Sequence, residues 1–219
     1  MASGLRERER IRDLFGRQVG EAVARQALED ESAGDEIRLG GSVRDVAVLF
    51  VDLVGSTELA AKRPAQEVVA LLNRFFGEVV DVVEREGGWV NKFQGDAALA
   101  VFGAPLALAG KEASALRAAR SLDRRLRAAV PEVGVGIGVA VGPAVAGRIG
   151  ATRRFEYTVI GDPVNEAARL TELAKHRPGR VLASADAVAR AGEEAARWQL
   201  ADEVQLRGRA APTRLALPR

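Results

Sequence analysis

The sequence of 219 residues contains no cysteine and a single histidine, His176, beside 32 basic and 30 acidic side chains. The missing cysteines exclude disulfides, thiolate nucleophiles and Cys/His zinc sites. One histidine excludes a metal centre built on several imidazoles. It lies in the turn-like stretch Lys175-His176-Arg177-Pro178-Gly179, a poor position for the base of a Ser-His-Asp triad. Aromatic residues make up only 5% of the chain, too few for a base-stacking surface. Charge of one sign is also lacking. The formal net charge is +2, so the sequence pI of 9.4 reflects a flat titration curve and marks no nucleic-acid binder. No apolar run approaches the roughly 18 residues of a membrane span, and the N-terminus is charged and unlike a signal peptide. The chain reads as cytoplasmic. Its chemistry is left to carboxylates, Lys, Arg, Asn and hydroxyls, the ligands of hard cations and binders of phosphate.

At roughly 150 residues per domain, the length predicts one domain with an extension. Residues 5–30 carry a narrow stripe of Leu5, Ile11, Leu14, Phe15, Val19, Val23 and Leu28 among dense opposite charges. That pattern is an amphipathic helix, packing on its own domain or pairing with a second copy. Residues 31–44 are polar and glycine-containing and read as a linker.

From Asp45 an α/β alternation begins. Val46-Ala47-Val48-Leu49-Phe50-Val51 is a continuous apolar run, as expected of a central strand covered on both faces. A loop at 52–57 leads to a helix over 64–86, with proline at its start and Gly87-Gly88 at its end. Strands at 89–93 and 97–102 flank Gln94-Gly95-Asp96 as a hairpin. A helix over 111–129 follows, then strands at 133–141, 144–149 and 155–160. Asp162-Pro163 opens a helix running to Lys175. A strand at 181–184, a short helix at 185–191 and strands at 198–206 and 213–217 close the chain. The order predicts an α+β fold, a ferredoxin-like βαββαβ mixed sheet with helices on one face, behind an N-terminal helical extension.

Two acidic residues stand where a core strand disfavours them. Asp52 ends the apolar strand, and Asp96 sits at the turn of a neighbouring hairpin. Asp52 also enters Leu53-Val54-Gly55-Ser56-Thr57, a turn able to aim N–H groups and hydroxyls at a phosphate. Two converging carboxylates beside such a turn suit one or two Mg²⁺ ions holding a triphosphate. The turn lacks the Gly-Lys-Ser/Thr ending of a Walker A motif. Asn165 and Arg169, at i and i+4, share one helix face. They form either a solvated face or a clamp for charge developing on a phosphoryl group. Taken singly, Lys92 and Arg207 are ordinary exposed cations.

Three segments occur in order: Val51-Asp52-Leu53-Val54-Gly55-Ser56-Thr57, Lys92-Phe93-Gln94-Gly95-Asp96, and Tyr157 to Arg169 (YTVIGDPVNEAAR). Together they resemble the class III nucleotidyl cyclases, specifically bacterial adenylyl cyclase catalytic domains of the mycobacterial kind, over roughly 44–217. The resemblance implies a homodimer with composite sites. Asp52 and Asp96 would be the metal aspartates, with the Leu53 carbonyl as a further ligand of two Mg²⁺ or Mn²⁺ ions. Gly55, Ser56 and Thr57 would form the triphosphate loop. From the other subunit, Lys92 and Thr158 would read the purine, and Asn165 and Arg169 would orient the ribose and stabilise the transition state. Arg207 falls where the family places a basic residue on the terminal phosphates. Residues 1–40 would then be a dimerising or signal-transmitting arm and 41–219 the catalytic domain. An upstream membrane or sensor domain is compatible with this arrangement, the chain then being the cytosolic part.

The implied reaction converts ATP to 3′,5′-cyclic AMP and pyrophosphate by in-line attack of the ribose 3′-hydroxyl on the α-phosphate. An ammonium at Lys92 can donate to a ring nitrogen of adenine, and the Thr158 hydroxyl can accept from the exocyclic amine; guanine presents N1–H and O6 instead. Many family members have Asp at the Thr158 position, and some carry an additional phosphate-binding arginine near 141–145, where this chain has Val141-Gly142-Pro143-Ala144-Val145. Arg148 is the nearest replacement. Guanylyl or mixed-purine cyclisation, and a catalytically silent dimerising module, are the alternatives. Lys92 argues against the first. The intact Asp52, Asp96, Asn165 and Arg169 argue against the second.

Overall fold

The computed structural model describes Gly20 and residues 39–219. The expected N-terminal helix over 5–30 falls outside the described residues. Among these, the order is β1 (Gly40–Val54), α1 (Ser56–Lys62), α2 (Ala65–Arg85), β2 (Trp89–Gln94), β3 (Ala97–Phe102), α3 (Lys111–Ala129), β4 (Gly134–Ala151), β5 (Arg154–Ile160), α4 (Asp162–Lys175), β6 (Val181–Ser184), α5 (Ala185–Ala189), a 3₁₀ turn (Gly192–Arg197), β7 (Trp198–Val204) and β8 (Thr213–Pro218). The strands form one mixed sheet in the order β2-β3-β1-β4-β6-β8-β7, with β5 paired to β4. The β4–β6 pair is parallel, and the others are antiparallel.

β1 alternates its burial between two cores, as a central strand must. Ala47, Leu49, Val51 and Leu53 join Leu71, Phe75 and Val79 of α2 and Leu116, Leu122 and Leu126 of α3. Val46, Val48 and Phe50 join Ala167, Leu170 and Ala174 of α4 on the opposite face. Helices therefore cover both faces, whereas the element order had predicted one. The reason lies in α4, whose apolar stripe at 167, 170 and 174 is as continuous as those of α2 and α3 and needs a sheet surface of its own.

Three strand boundaries also differ. β1 starts at Gly40 within the expected linker, because residues 40–44 pair with 144–148 of β4 while their polar side chains stay outside. β1 also runs on through Val54, so Asp52 lies inside the ladder, and Gly55 alone makes the turn into α1 with φ 75. Glycine adopts that left-handed backbone without strain. The two strands expected at 133–141 and 144–149 are one strand, β4, despite Pro143. Pro143 falls between the stretch paired with β6 (137–139) and the stretch paired with β5 (145–151). Its missing N–H breaks no ladder on that side.

Candidate active site

Asp52 lies opposite Ala97 of β3 and Gly136 of β4. The hairpin of β2 and β3 thus brings its turn residue Asp96 beside the end of β1, where the Asp96 carbonyl accepts from the Leu53 N–H at 3.4 Å. The sheet register juxtaposes the two carboxylates expected to act together. Gly55, Ser56 and Thr57 follow directly, with Ser56 and Thr57 in the opening turn of α1.

A third group enters from α4. Lys175, the last residue of that helix, donates to Asp52 Oδ2 at 2.6 Å and to Glu172 Oε1 at 2.8 Å. The close approach depends on Gly136, where a Cβ would meet Lys175 Cγ at 2.6 Å and the Thr171 carbonyl at 2.7 Å. The Thr171 hydroxyl lies between the Ala167 carbonyl at 2.8 Å and the Phe50 carbonyl at 3.3 Å, so its one proton is shared between α4 and β1. In the sequence, Lys175 reads only as the end of a helix. A basic residue in a last turn normally answers the helix dipole, and the glycine under it could not be matched to it from sequence alone.

Asp52 Oδ1 is buried and has no hydrogen-bond partner. Buried polar atoms are nearly always paired, so this oxygen marks a position for a ligand that donates or coordinates. Burial pushes the Asp52 carboxyl above its ordinary value; the bond to Lys175 pulls it back only in part, and the nearby Asp96 and Glu172 carboxylates add to the rise. Burial also opposes the charge of Lys175, yet its bonds to Asp52 and Glu172 outweigh that and hold the ammonium pKa up. No group of three or more His, Asp or Glu side chains placed to hold a metal ion by themselves occurs among the described residues. An oxygen site of two carboxylates, one with an unpartnered oxygen, suits a hard cation whose remaining ligands are phosphate and water.

The expected base-reading residues lie together at a second location. Asn91 is the unmatched residue of a β-bulge, since Val90 pairs with Ala100 and Lys92 with Leu99. A bulge re-aims its side chain. The Asn91 amide reaches β5, donating from Nδ2 to the Tyr157 carbonyl at 2.8 Å and accepting at Oδ1 from the Thr158 hydroxyl at 2.9 Å. Next to it, Lys92 Nζ donates to Glu156 Oε2 at 3.1 Å. Glu156 and Thr158, two apart on β5, belong to one side of the strand. Neither Asn91 nor Glu156 stood out in the sequence; only the bulge and the β4–β5 pairing bring them to Lys92 and Thr158.

Asn165 and Arg169 are both exposed, on the outer side of α4. Arg207 is exposed in the β7–β8 connection, which Arg209 ties to α4: its guanidinium donates to both carboxylate oxygens of Asp162, at 3.0 and 2.6 Å, and to Glu166 and Thr213. The connection is thereby fixed at the helix turn that carries Asn165. Arg148, on β4, pairs in register with Tyr157. His176 is exposed at the C-terminal end of α4 and takes no place among these groups.

Residues 41–217 match the family model described as the adenylate and guanylate cyclase catalytic domain. The chain belongs to this family, the class III nucleotide cyclases. It is 58% identical over all 219 residues to the uncharacterized protein Rv1318c of Mycobacterium tuberculosis, and it spans 40% of that protein's length. The same identity holds for the uncharacterized protein Rv1320c of that organism, of which the chain spans 38%. Among solved structures, the adenylyl cyclase CyaB from P. aeruginosa superposes with a TM-score of 0.73 at 23% identity, over 81% of this chain and 95% of that one. A bacterial light-regulated adenylyl cyclase gives 0.80 at 21% identity, over 99% of this chain and 63% of the other. The guanylyl cyclase Cya2 gives 0.66 at 29% identity, over 81% and 93%. The neighbours thus include cyclases named for either purine. No helix among the described residues is long and apolar enough to cross a membrane.

Proposed function

We propose that the chain is an adenylyl cyclase, forming 3′,5′-cyclic AMP and pyrophosphate from ATP at composite sites in a homodimer. The observation that carries this reading is the buried, unpartnered Asp52 Oδ1 beside Asp96, on the fold of a nucleotide cyclase. Asp52, Asp96 and the Leu53 carbonyl would hold one or two Mg²⁺ or Mn²⁺ ions, which supply charge neutralisation on the phosphates and acidify the 3′-hydroxyl. The N–H groups and hydroxyls of Gly55, Ser56 and Thr57 take up the triphosphate, with Arg207 on its terminal phosphates. Asn165 orients the ribose, and Arg169 stabilises charge on the phosphoryl oxygens at the moment of transfer. Positioning and electrostatics supply most of the catalysis, so no side chain need act as a strong base.

Two features support the shared site and the choice of ATP. Along α4, Arg169 precedes Lys175 by six residues, about 9 Å of helix rise. The α4 side chain bonded to Asp52 in the same chain is Lys175, so the exposed Arg169 would act on the phosphates held beside the carboxylates of a second copy. An ammonium can only donate. Lys92 therefore matches the N1 acceptor of adenine and opposes the N1–H of guanine.

Complementation tests the reading. Asp52→Ala and Arg169→Ala proteins are each expected to be nearly inactive. Mixed in equal amounts they should recover about a quarter of wild-type activity, since half the dimers are mixed and each mixed dimer keeps one of two native sites. No recovery from variants that still dimerise would rule out the shared site. Cyclic GMP as the main product would replace the ATP reading with the guanylyl one.

A further inference from the structure

A threonine hydroxyl is both donor and acceptor, so Thr158 by itself cannot distinguish the 6-amino group of adenine from the 6-oxo group of guanine. Its hydrogen-bond neighbours in this chain remove the ambiguity. The Tyr157 carbonyl has no proton and can only accept. The atom of Asn91 that bonds to it at 2.8 Å must then be the amide nitrogen, which leaves Oδ1 facing Thr158. Oδ1 is also only an acceptor, so at 2.9 Å the single hydroxyl proton of Thr158 is committed to it. What Thr158 has left to offer is lone pairs. The orientation is well anchored: Thr158 is 7% exposed, and Asn91 is held at a bulge between two fixed pairs of β2 and β3.

We propose that Asn91 is a specificity-determining positioning residue, which by taking the Thr158 proton turns that hydroxyl into a pure acceptor and so selects a purine with an amino group at position 6. The inference rests on the reading of Thr158 as a base contact. Guanine at the same place would set its O6 against the Thr158 lone pairs and its N1–H against Lys92, two mismatches of like polarity. Without Asn91, the hydroxyl can rotate and donate to O6, and one mismatch disappears. Glu156 completes the arrangement by holding Lys92 at 3.1 Å as the neighbouring donor.

The test compares kcat/KM for ATP and for GTP in five versions of the whole chain: wild type, Asn91→Leu, Asn91→Asp, Thr158→Val and the double variant Asn91→Leu/Thr158→Val. Competition binding of 3′-deoxy ATP and 3′-deoxy GTP, which cannot cyclise, gives the same ratio without turnover. Asn91→Leu is expected to lower the ATP-over-GTP ratio about tenfold, chiefly through a gain for GTP. Asn91→Asp keeps an acceptor for the Thr158 proton and should hold the ratio near wild type, even where it lowers both efficiencies. Adding Asn91→Leu to Thr158→Val should change the ratio no further. A purely structural role for Asn91 would lower both nucleotides equally, and an unchanged ratio in Asn91→Leu overturns the proposal. So does a ratio shifted alike by Leu and Asp. If Asn91→Leu does not fold, Asn91→Ala carries the same expectation. An unchanged ratio in Thr158→Val instead removes Thr158 from base reading altogether, which is a failure of the underlying reading and distinguishable from the first two outcomes.

Discussion

The two ends of the candidate site solve the problem of polar groups in opposite ways. At the carboxylate corner, Asp52 is mostly buried and one of its oxygens has no partner, so the fold carries a local cost that the proposed cation would remove. At the base-reading edge, Asn91, Lys92, Glu156 and Thr158 are bonded among themselves. Only the lone pairs and protons they have left over define what they can bind. Under the proposed function, the first region would require a ligand and the second would choose one. A corner that requires its ligand should be unforgiving of substitution, and an edge that chooses should respond with altered ratios and retained activity.

The largest effect is expected at the corner. Asp96→Asn keeps the shape of the turn residue and removes its charge, while the Asp96 backbone bond to Leu53 remains available. We expect kcat/KM to fall by about 10³-fold with thermal stability unchanged. A loss of about tenfold or less, no larger than the change in ratio expected at the base-reading edge, would erase the contrast between the two regions.

A smaller effect, read on stability, separates the ligand-requiring corner from an ordinary ion pair. Lys175 is the only side chain with a hydrogen bond to Asp52 among the described residues. Lys175→Met should leave a desolvated carboxylate without a counter-charge. Removing one partner of a largely buried pair costs about 2 kcal/mol here, or about 5 °C in Tm for a chain of this size. Mn²⁺ with 3′-deoxy ATP should raise the Tm of Lys175→Met more than that of the wild type, because the cation then replaces the missing charge. Equal shifts would mean that Lys175 and the cation do not share Asp52.

Much of this was legible in the sequence, and the remainder for identifiable reasons was not. The helix over 111–129 and the strand over 181–184 stand where propensity and periodicity put them, since both have clean stops and an unambiguous apolar pattern. Asp52 and Asp96 were visible because charge is out of place at a core strand end and because the hairpin had a recognisable turn. Lys175 was not, since its role needs Gly136 and the crossing of α4 over β1, a contact between residues far apart in the chain. Asn91 was hidden by the bulge: strict alternation along β2 would have given its side chain an ordinary place on the strand. The resemblance named residues proposed to touch the substrate, but the residues bonded to them follow only from pairing register.

The smallest effect compares two aspartates of one strand. Asp45 lies seven residues before Asp52 on β1, bonded to Lys111 Nζ at 2.9 Å and Arg190 Nη1 at 3.2 Å. Its side chain is 47% exposed, against 18% for Asp52. The Lys111 bond, opposed by burial and helped by Arg190, holds the Asp45 carboxyl below its ordinary 3.8. A depressed carboxyl contributes stability that is complete above its unfolded value and is lost as pH falls through the folded one. For Asp52, raised mainly by burial, the sign reverses: its contribution is present at low pH and is lost as pH rises through the folded value. Asp45→Asn should therefore lower Tm at neutral pH, by a degree or so given screening of an exposed pair, and the gap should close on acidification below about pH 3. High salt should shrink the neutral-pH gap further. A gap independent of pH would show that Asp45 acts through packing or neutral hydrogen bonds, and would remove it as the solvated reference against which the buried Asp52 is measured.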